Sequence, residues 1–138
     1  MKLVNDLATI PTRGTPGSAG LDLYSCEEGE IDIMERKLIG TGIKVILPEC
    51  SFGRIASRSG LSLNYDLDVC AGIVDQDYRG EIKVLLMNNG TAKYKYKVGD
   101  KIGQLIIQPY IHMQPKLDTD FDKNTTQRNE KGFGSTDL

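Results

Sequence analysis

The feature that most restricts this chain is the brevity of its apolar runs. Residues 31–33 and 94–98 alternate apolar with polar, the period of two that half-buried strands require. Residues 44–47, 82–87 and 105–107 are short apolar runs suited to buried strands. Asn88, Asn89 and Gly90 supply one reversal, Val98, Gly99 and Asp100 another, and 15 glycines permit many more. Strands this short, punctuated this often, specify an all-β sandwich or a closed barrel. The spacing predicts one short helix, from Ser59 to about Tyr65, entered through Ser57 or Ser59. Residues 13–18 read as an ordered surface loop. From about Thr119 the chain turns polar and Gly-rich, with too little apolar surface to fix itself. The expected organisation is a β core over residues 1–118 and a flexible C-terminal arm over residues 119–138.

With 138 residues, 39% of them hydrophobic, the chain is one domain able to bury a core. The net charge of −2 leaves no basic footprint for a nucleic-acid duplex, whereas a free nucleotide needs only a few local cations. No apolar run approaches the roughly 18 residues of a membrane span, and the N-terminus lacks a signal-peptide core. An intracellular protein, cytoplasmic or nuclear, is therefore expected. Cys26, Cys50 and Cys70 are an odd, widely spaced set, which reads as reduced thiols. With His112 the sole histidine, imidazole-based metal centres and histidine triads are poor candidates.

Folding alone gives little reason for residues 71–81, AGIVDQDYRGE. Asp75, Asp77, Tyr78 and Arg79 crowd a turn bracketed by Gly72 and Gly80, where an ordinary hairpin needs little more than Asn-Gly or Asp-Gly. Four other segments share that character: AGLDLYS (19–25), GRIASRSGLS (53–62), GDKIGQLI (99–106) and RNEKGFGST (128–136). In this order and spacing the five resemble the motifs of the trimeric dUTPases, enzymes that hydrolyse dUTP to dUMP and pyrophosphate. The resemblance runs from Ala19 to Thr136. It implies a distorted jelly-roll β-barrel, a homotrimer with shared active sites, and Mg2+ as cofactor. It also implies a role in keeping uracil out of DNA and supplying dUMP for dTMP synthesis.

By themselves, residues 57–60 lead a glycine-containing turn into a helix start, where free N–H groups and the helix dipole favour an anion. Taken alone, they read first as a helix cap beside a surface arginine. The resemblance assigns Arg58, Ser59 and Gly60 to the nucleotide phosphates, with Ser59 near the bond that breaks. Asp75, taken alone, is a turn carboxylate. By resemblance it orients a water in line with the α-phosphorus. Tyr78, otherwise a strand-edge aromatic, corresponds to the ring that packs under deoxyribose and leaves no room for a 2′-hydroxyl. Uracil would be read by backbone groups around Val69, Gly72, Ile73, Val74 and Lys83, in a pocket too narrow for thymine's methyl. Asp22, outward on an alternating segment, would support Mg2+ through water. Gln104 matches a glutamine that contacts phosphate or the attacking water. Arg128, Ser135 and Thr136 suit the γ-phosphate. Phe133, held between Gly132 and Gly134, would lie over the uracil as part of a lid closing on a neighbouring subunit. Asp77 and Arg79 fall to structure or subunit contacts.

Four positions depart from the common pattern. Ser57 replaces a proline, which predicts a less rigid turn; Gly103 replaces an alanine; Asn129 and Asp137 replace glycines. Two other readings compete. One is a dCTP deaminase, which shares the fold but places a catalytic glutamate in the pocket. The other is a dUTPase-like regulatory protein acting as a nucleotide-gated interaction module.

Overall fold

A computed structural model describes residues 1–130, and its regular elements follow one another in short succession. The strands are β1 (Lys2–Leu3), β2 (Thr12–Arg13), β3 (Leu21–Tyr24), β4 (Gly29–Ile31), β5 (Arg36–Lys44), β6 (Ser51–Ala56), β7 (Leu67–Cys70), β8 (Ile73–Val74), β9 (Ile82–Asn88), β10 (Tyr94–Tyr96) and β11 (Lys101–Pro109). The one α-helix among the described residues, α1 (Ser59–Tyr65), joins β6 to β7. All strand pairs are antiparallel, in sheets ordered β1-β5-β9-β7, β2-β3-β11-β6-β8 and β10-β4. Alternation decides which side chains face inward. Along β9, Ile82, Val84 and Leu86 are buried while Lys83 is exposed. They pack with Ile39 and Ile43 of β5, Leu23 of β3, Ile55 of β6 and Leu105 of β11 in one core.

The arrangement is jelly-roll-like, but among the described residues the sheets do not close into a barrel. Strands β7 and β8 are consecutive in the chain and lie at the edges of different sheets. The chain changes sheet at Ala71, whose φ of 49° is in the left-handed region, so no ladder joins the two edges. This corner delivers the 75–80 turn.

The helix has the expected bounds, with a different entrance. Arg58 is its N-cap, in extended backbone and without a side-chain cap bond, and its carbonyl accepts the Leu61 and Ser62 N–H groups. The Ser57 hydroxyl, expected as a cap, is used elsewhere. At the far end Asp66 turns left-handed (φ 53°) and closes the last turn.

Three strand expectations need correction. The β5 ladder stops at Lys44, because its partner β1 is two residues long. Val45 and Leu47 are still buried and Ile46 is exposed, so residues 45–47 keep the alternation without a strand. Strand β4 ends at Ile31, where Asp32 starts a turn closed by the Glu35 N–H and a left-handed Met34. Strand β10 ends at Tyr96, where the Lys97 N–H turns to the Asp100 carboxylate. Among the described residues regular strand structure stops at Pro109, and a single 3-10 turn (Phe121–Lys123) follows. No helix among the described residues is long and apolar enough to cross a membrane. Cys26, Cys50 and Cys70 are free thiols.

Candidate active site

The site residues fall into two groups at opposite ends of β6. The first forms where β3, β11 and the β6–α1 turn meet. Gln104 of β11 is registered with Asp22 on one side and Ala56 on the other. Its Nε2 donates to the Ser57 carbonyl at 2.9 Å. Asp22 is not the solvated residue that alternation suggested: its side chain is 15% exposed, with a cation on each oxygen. Arg58 Nε lies 3.1 Å from Oδ1, and Lys101 Nζ 2.7 Å from Oδ2. Arg58 also donates through Nη1 to the Lys101 carbonyl at 3.3 Å. The hydrogen bond to Asp22 and the attraction of its charge hold the Lys101 ammonium above its ordinary pKa. One carboxylate between two cations leaves a net positive charge, which suits an incoming phosphate. Ser59 and Gly60 are exposed in the first turn of α1.

Lys101 was missed by the sequence reading for a definite reason. Residues 101 and 104 of a regular strand face opposite ways. Here the register shifts between Lys101 and Gly103, a bulge, so Lys101 pairs with Tyr24 while Gln104 pairs with Asp22. Both side chains therefore serve the Asp22 face. A charged residue three before Gln104 was the available signal, but the bulge could not be read from it.

The second group is the turn after β8. The Tyr78 N–H donates to the Asp75 carbonyl at 3.1 Å, and the Tyr78 hydroxyl donates to the Glu81 carbonyl at 3.0 Å. A Cβ on Gly80 would run into the Tyr78 ring, so glycine there lets the ring fold back over the turn. Arg79 donates to the Gln76 and Tyr78 carbonyls, the structural role expected of it. Ile73, Val74, Asp75, Tyr78 and Lys83 line one cavity of about 250 Å³, together with Leu38, Ile55, Ala71, Glu81 and Ile82. Asp75 is exposed and also borders a second cavity of about 500 Å³, lined by Phe52, Ile73, Gln76, Asp77 and Tyr110. Apolar walls beside the Asp75 and Glu81 carboxylates and a tyrosine suit a flat base and its sugar.

Two expected base-reading residues stand differently. The Val69 N–H is taken by Ser57 Oγ at 2.8 Å and its side chain packs on the core, so that donor is not available to a base. The Gly72 carbonyl accepts the Ile55 N–H at 2.6 Å, and a Cβ on Gly72 would collide with the Ile55 carbonyl. Glycine is needed there for close approach of two backbones. Neither Val69 nor Gly72 lines the Asp75 cavity. Arg128 lies on exposed chain beyond β11. Phe133, Gly134, Ser135, Thr136 and Asp137 lie outside the described residues.

The two groups are far apart within one chain. Val74 is registered with Gly53 and Ile73 with Arg54, so Asp75 continues past Phe52, away from Arg58. At about 3.3 Å per residue, Phe52 and Arg58 are separated by roughly 20 Å.

Comparison with known proteins bears on the same residues. The sequence profile of the family described as dUTPase matches residues 6–137. The deoxyuridine 5′-triphosphate nucleotidohydrolase of Vaccinia virus (strain Copenhagen) is 46% identical over 131 residues, covering 95% of this chain and 87% of that protein. The fold is similar to a mutant dUTPase of Staphylococcus bacteriophage 80alpha with dUpNHpp, at a TM-score of 0.92 and 26% identity, covering 99% of this chain and 96% of that one. It is also similar to a mutant dUTPase of phage phi11 of S. aureus, described with a coordinated structural Mg(II) ion. There the TM-score is 0.82 and the identity 26%, over 88% of this chain and 96% of that one.

Proposed function

Because the chain belongs to the dUTPase family, we infer that it hydrolyses dUTP to dUMP and pyrophosphate by in-line attack of water at the α-phosphorus. The observation that carries this reading is Asp75 on the rim of a small cavity that also holds Tyr78. An aspartate carboxylate is far too weak a base to deprotonate bulk water in advance. Asp75 instead orients the water and accepts its proton as the P–O bond forms, a contribution of about 10²–10⁴ in rate. The rest of the barrier falls through neutralisation of the phosphate charge. Arg58, Ser59 and Gly60 take the phosphates, Gln104 meets phosphate or water, and Arg128, Ser135 and Thr136 take the γ-phosphate. The Tyr78 ring, held by its hydroxyl bond to Glu81, packs on the sugar and refuses a 2′-hydroxyl. Backbone groups at Ile73, Val74 and Lys83 read uracil, and Phe133 with Gly134 covers it.

The strand that carries Arg58 runs roughly 20 Å from the position beside which Asp75 leaves β8, too far for one α-phosphate to meet both residues in one protomer. A symmetric assembly in which one subunit supplies the base cavity and another the Arg58 group removes the conflict, and this supports a homotrimer with shared sites. The exposed apolar side chains of Ile111, Met113, Leu117 and Phe121, beyond the last strand, offer surface for such contacts.

Magnesium is implied by the family. Among the described residues no three His, Cys, Asp or Glu side chains gather to cage an ion. A hard ion that keeps its waters and takes phosphate oxygens suits one carboxylate. Asp22 is already neutralised by Arg58 and Lys101, so the triphosphate would hold the ion and Asp22 would support it only through water. When bound with the triphosphate, the ion supplies charge neutralisation.

No observation favours the deaminase or the interaction-module alternative. Pyrophosphate release from dUTP, dCTP, dTTP and UTP, with and without EDTA, tests the reading. Release from dUTP alone, lost with EDTA, is expected. Ammonia release from dCTP would overturn it.

A further inference from the structure

Ser57 stands where the family pattern has proline, and the structure gives its polar atoms partners on two strands, β7 and β11. Its Oγ accepts the Val69 N–H of β7 at 2.8 Å and lies 3.5 Å from Asp68 Oδ1. Its carbonyl accepts from Gln104 Nε2 of β11 at 2.9 Å. Asp68 is itself anchored, with Ser62 Oγ of α1 at 3.0 Å from Oδ1 and Asn89 Nδ2 at 3.2 Å from Oδ2. Ser57 therefore ties the strand end that launches Arg58 to the strand that leads into the Asp75 corner, and to the strand that carries Gln104.

No ladder makes the tie to β7. Strand β6 pairs with β11 and β8, whereas β7 pairs with β9 in the other large sheet. A proline at this position would fix φ near −65° but would offer Val69 no acceptor. Serine has the opposite properties: a freer backbone and a hydroxyl that locks it across the sheets. The expectation of a looser turn is thus replaced by a turn held from its side chain.

We propose that Ser57 is a positioning residue for dUTP hydrolysis, its hydroxyl clamping the Arg58 turn to β7 and its carbonyl aiming the Gln104 amide. Without the hydroxyl, a half-buried Val69 N–H loses its partner and the turn can drift. Displacement of about 1 Å in a reacting geometry is worth up to about 100-fold in rate. Ground-state binding of the nucleotide, spread over many groups, is much less sensitive to that drift.

The proposal rests on the dUTP-hydrolysis reading, and the test separates the two. Ser57→Ala and Ser57→Thr are compared with the unsubstituted protein, by dUTP kinetics and by amide hydrogen exchange at Val69 without nucleotide. Ser57→Ala is expected to speed Val69 exchange and lower kcat, each about tenfold, with KM changed less than about threefold. Ser57→Thr, which keeps the acceptor, should restore both. The proposal is overturned if Ser57→Ala keeps kcat within about twofold, or loses kcat while Val69 exchange stays as slow as before. A lack of dUTP hydrolysis by the unsubstituted protein would overturn the functional reading, while Val69 exchange would still decide the clamp.

Discussion

Gly72→Ala should loosen the corner on which Asp75 is mounted. Gly72 and Ile55 approach backbone to backbone, with the Ile55 N–H donating to the Gly72 carbonyl at 2.6 Å. A Cβ on Gly72 would fall well inside contact distance of the Ile55 carbonyl, a backbone atom that cannot swing aside. Ordinary contact requires the strands to part by roughly 1 Å, which costs about 1–3 kcal/mol as overpacking. Parting them also breaks the hydrogen bond and leaves its groups poorly paired, about 1–3 kcal/mol more. Alanine returns about 0.4–1 kcal/mol by stiffening the unfolded chain. The net loss is about 3 kcal/mol, a large part of the roughly 5–15 kcal/mol that holds a domain folded. For a chain of this length the midpoint should drop by roughly 10–15 °C. Calorimetric melting at fixed protein concentration measures it, with Gly17→Ala as control because nothing lies within 4 Å of a Cβ there. A Gly72→Ala midpoint within about 3 °C of the unsubstituted protein would refute the crowding argument.

Asp75→Asn should cut turnover by about 10²–10⁴ while dUTP still binds, as calorimetric titration would report; normal turnover contradicts the assigned role. Mixed by refolding with an Arg58→Ala variant, it should regain activity at about one site in four, because random assembly pairs intact halves at that frequency. No recovery would place both residues in one subunit's site. Tyr78→Ala should admit UTP, and an unchanged preference for dUTP over UTP would move sugar discrimination elsewhere. Lys101 titrates above its ordinary value of 10.5 because it binds Asp22. The sign is that of a raised group: its stabilisation is complete below the unfolded value and disappears as pH climbs through the higher folded one. Lys101→Met should therefore flatten the alkaline decline in melting temperature, and an identical decline in both proteins would deny the coupling.

Much of the fold is local, which explains why it was legible. The alternation of β9, the length of α1 and the turn at residues 75–80 depend on neighbours a few positions away. The misreadings share a cause. Residues 44–47 have the composition of a strand, yet a ladder needs a partner, and β1 is too short to provide one beyond Lys44. A closed barrel fits many short strands, yet the left-handed step at Ala71 sends β7 and β8 to different sheets. The Val69 N–H has no local partner in the sequence; the hydroxyl that accepts it is twelve positions earlier in the chain.

Residue types and their order determined the β class, the family, and the groups able to do phosphate chemistry. They could not determine which of those groups meet. The bulge that turns Lys101 and Gln104 to the same carboxylate, and the Ser57 hydroxyl bond that joins two sheets, arise from register and from partners distant in sequence. So does the placing of Asp75 and Arg58 toward opposite ends of β6. Side-chain direction in a sheet reverses with every one-residue change of register, so only the paired strands decide which charges share a face.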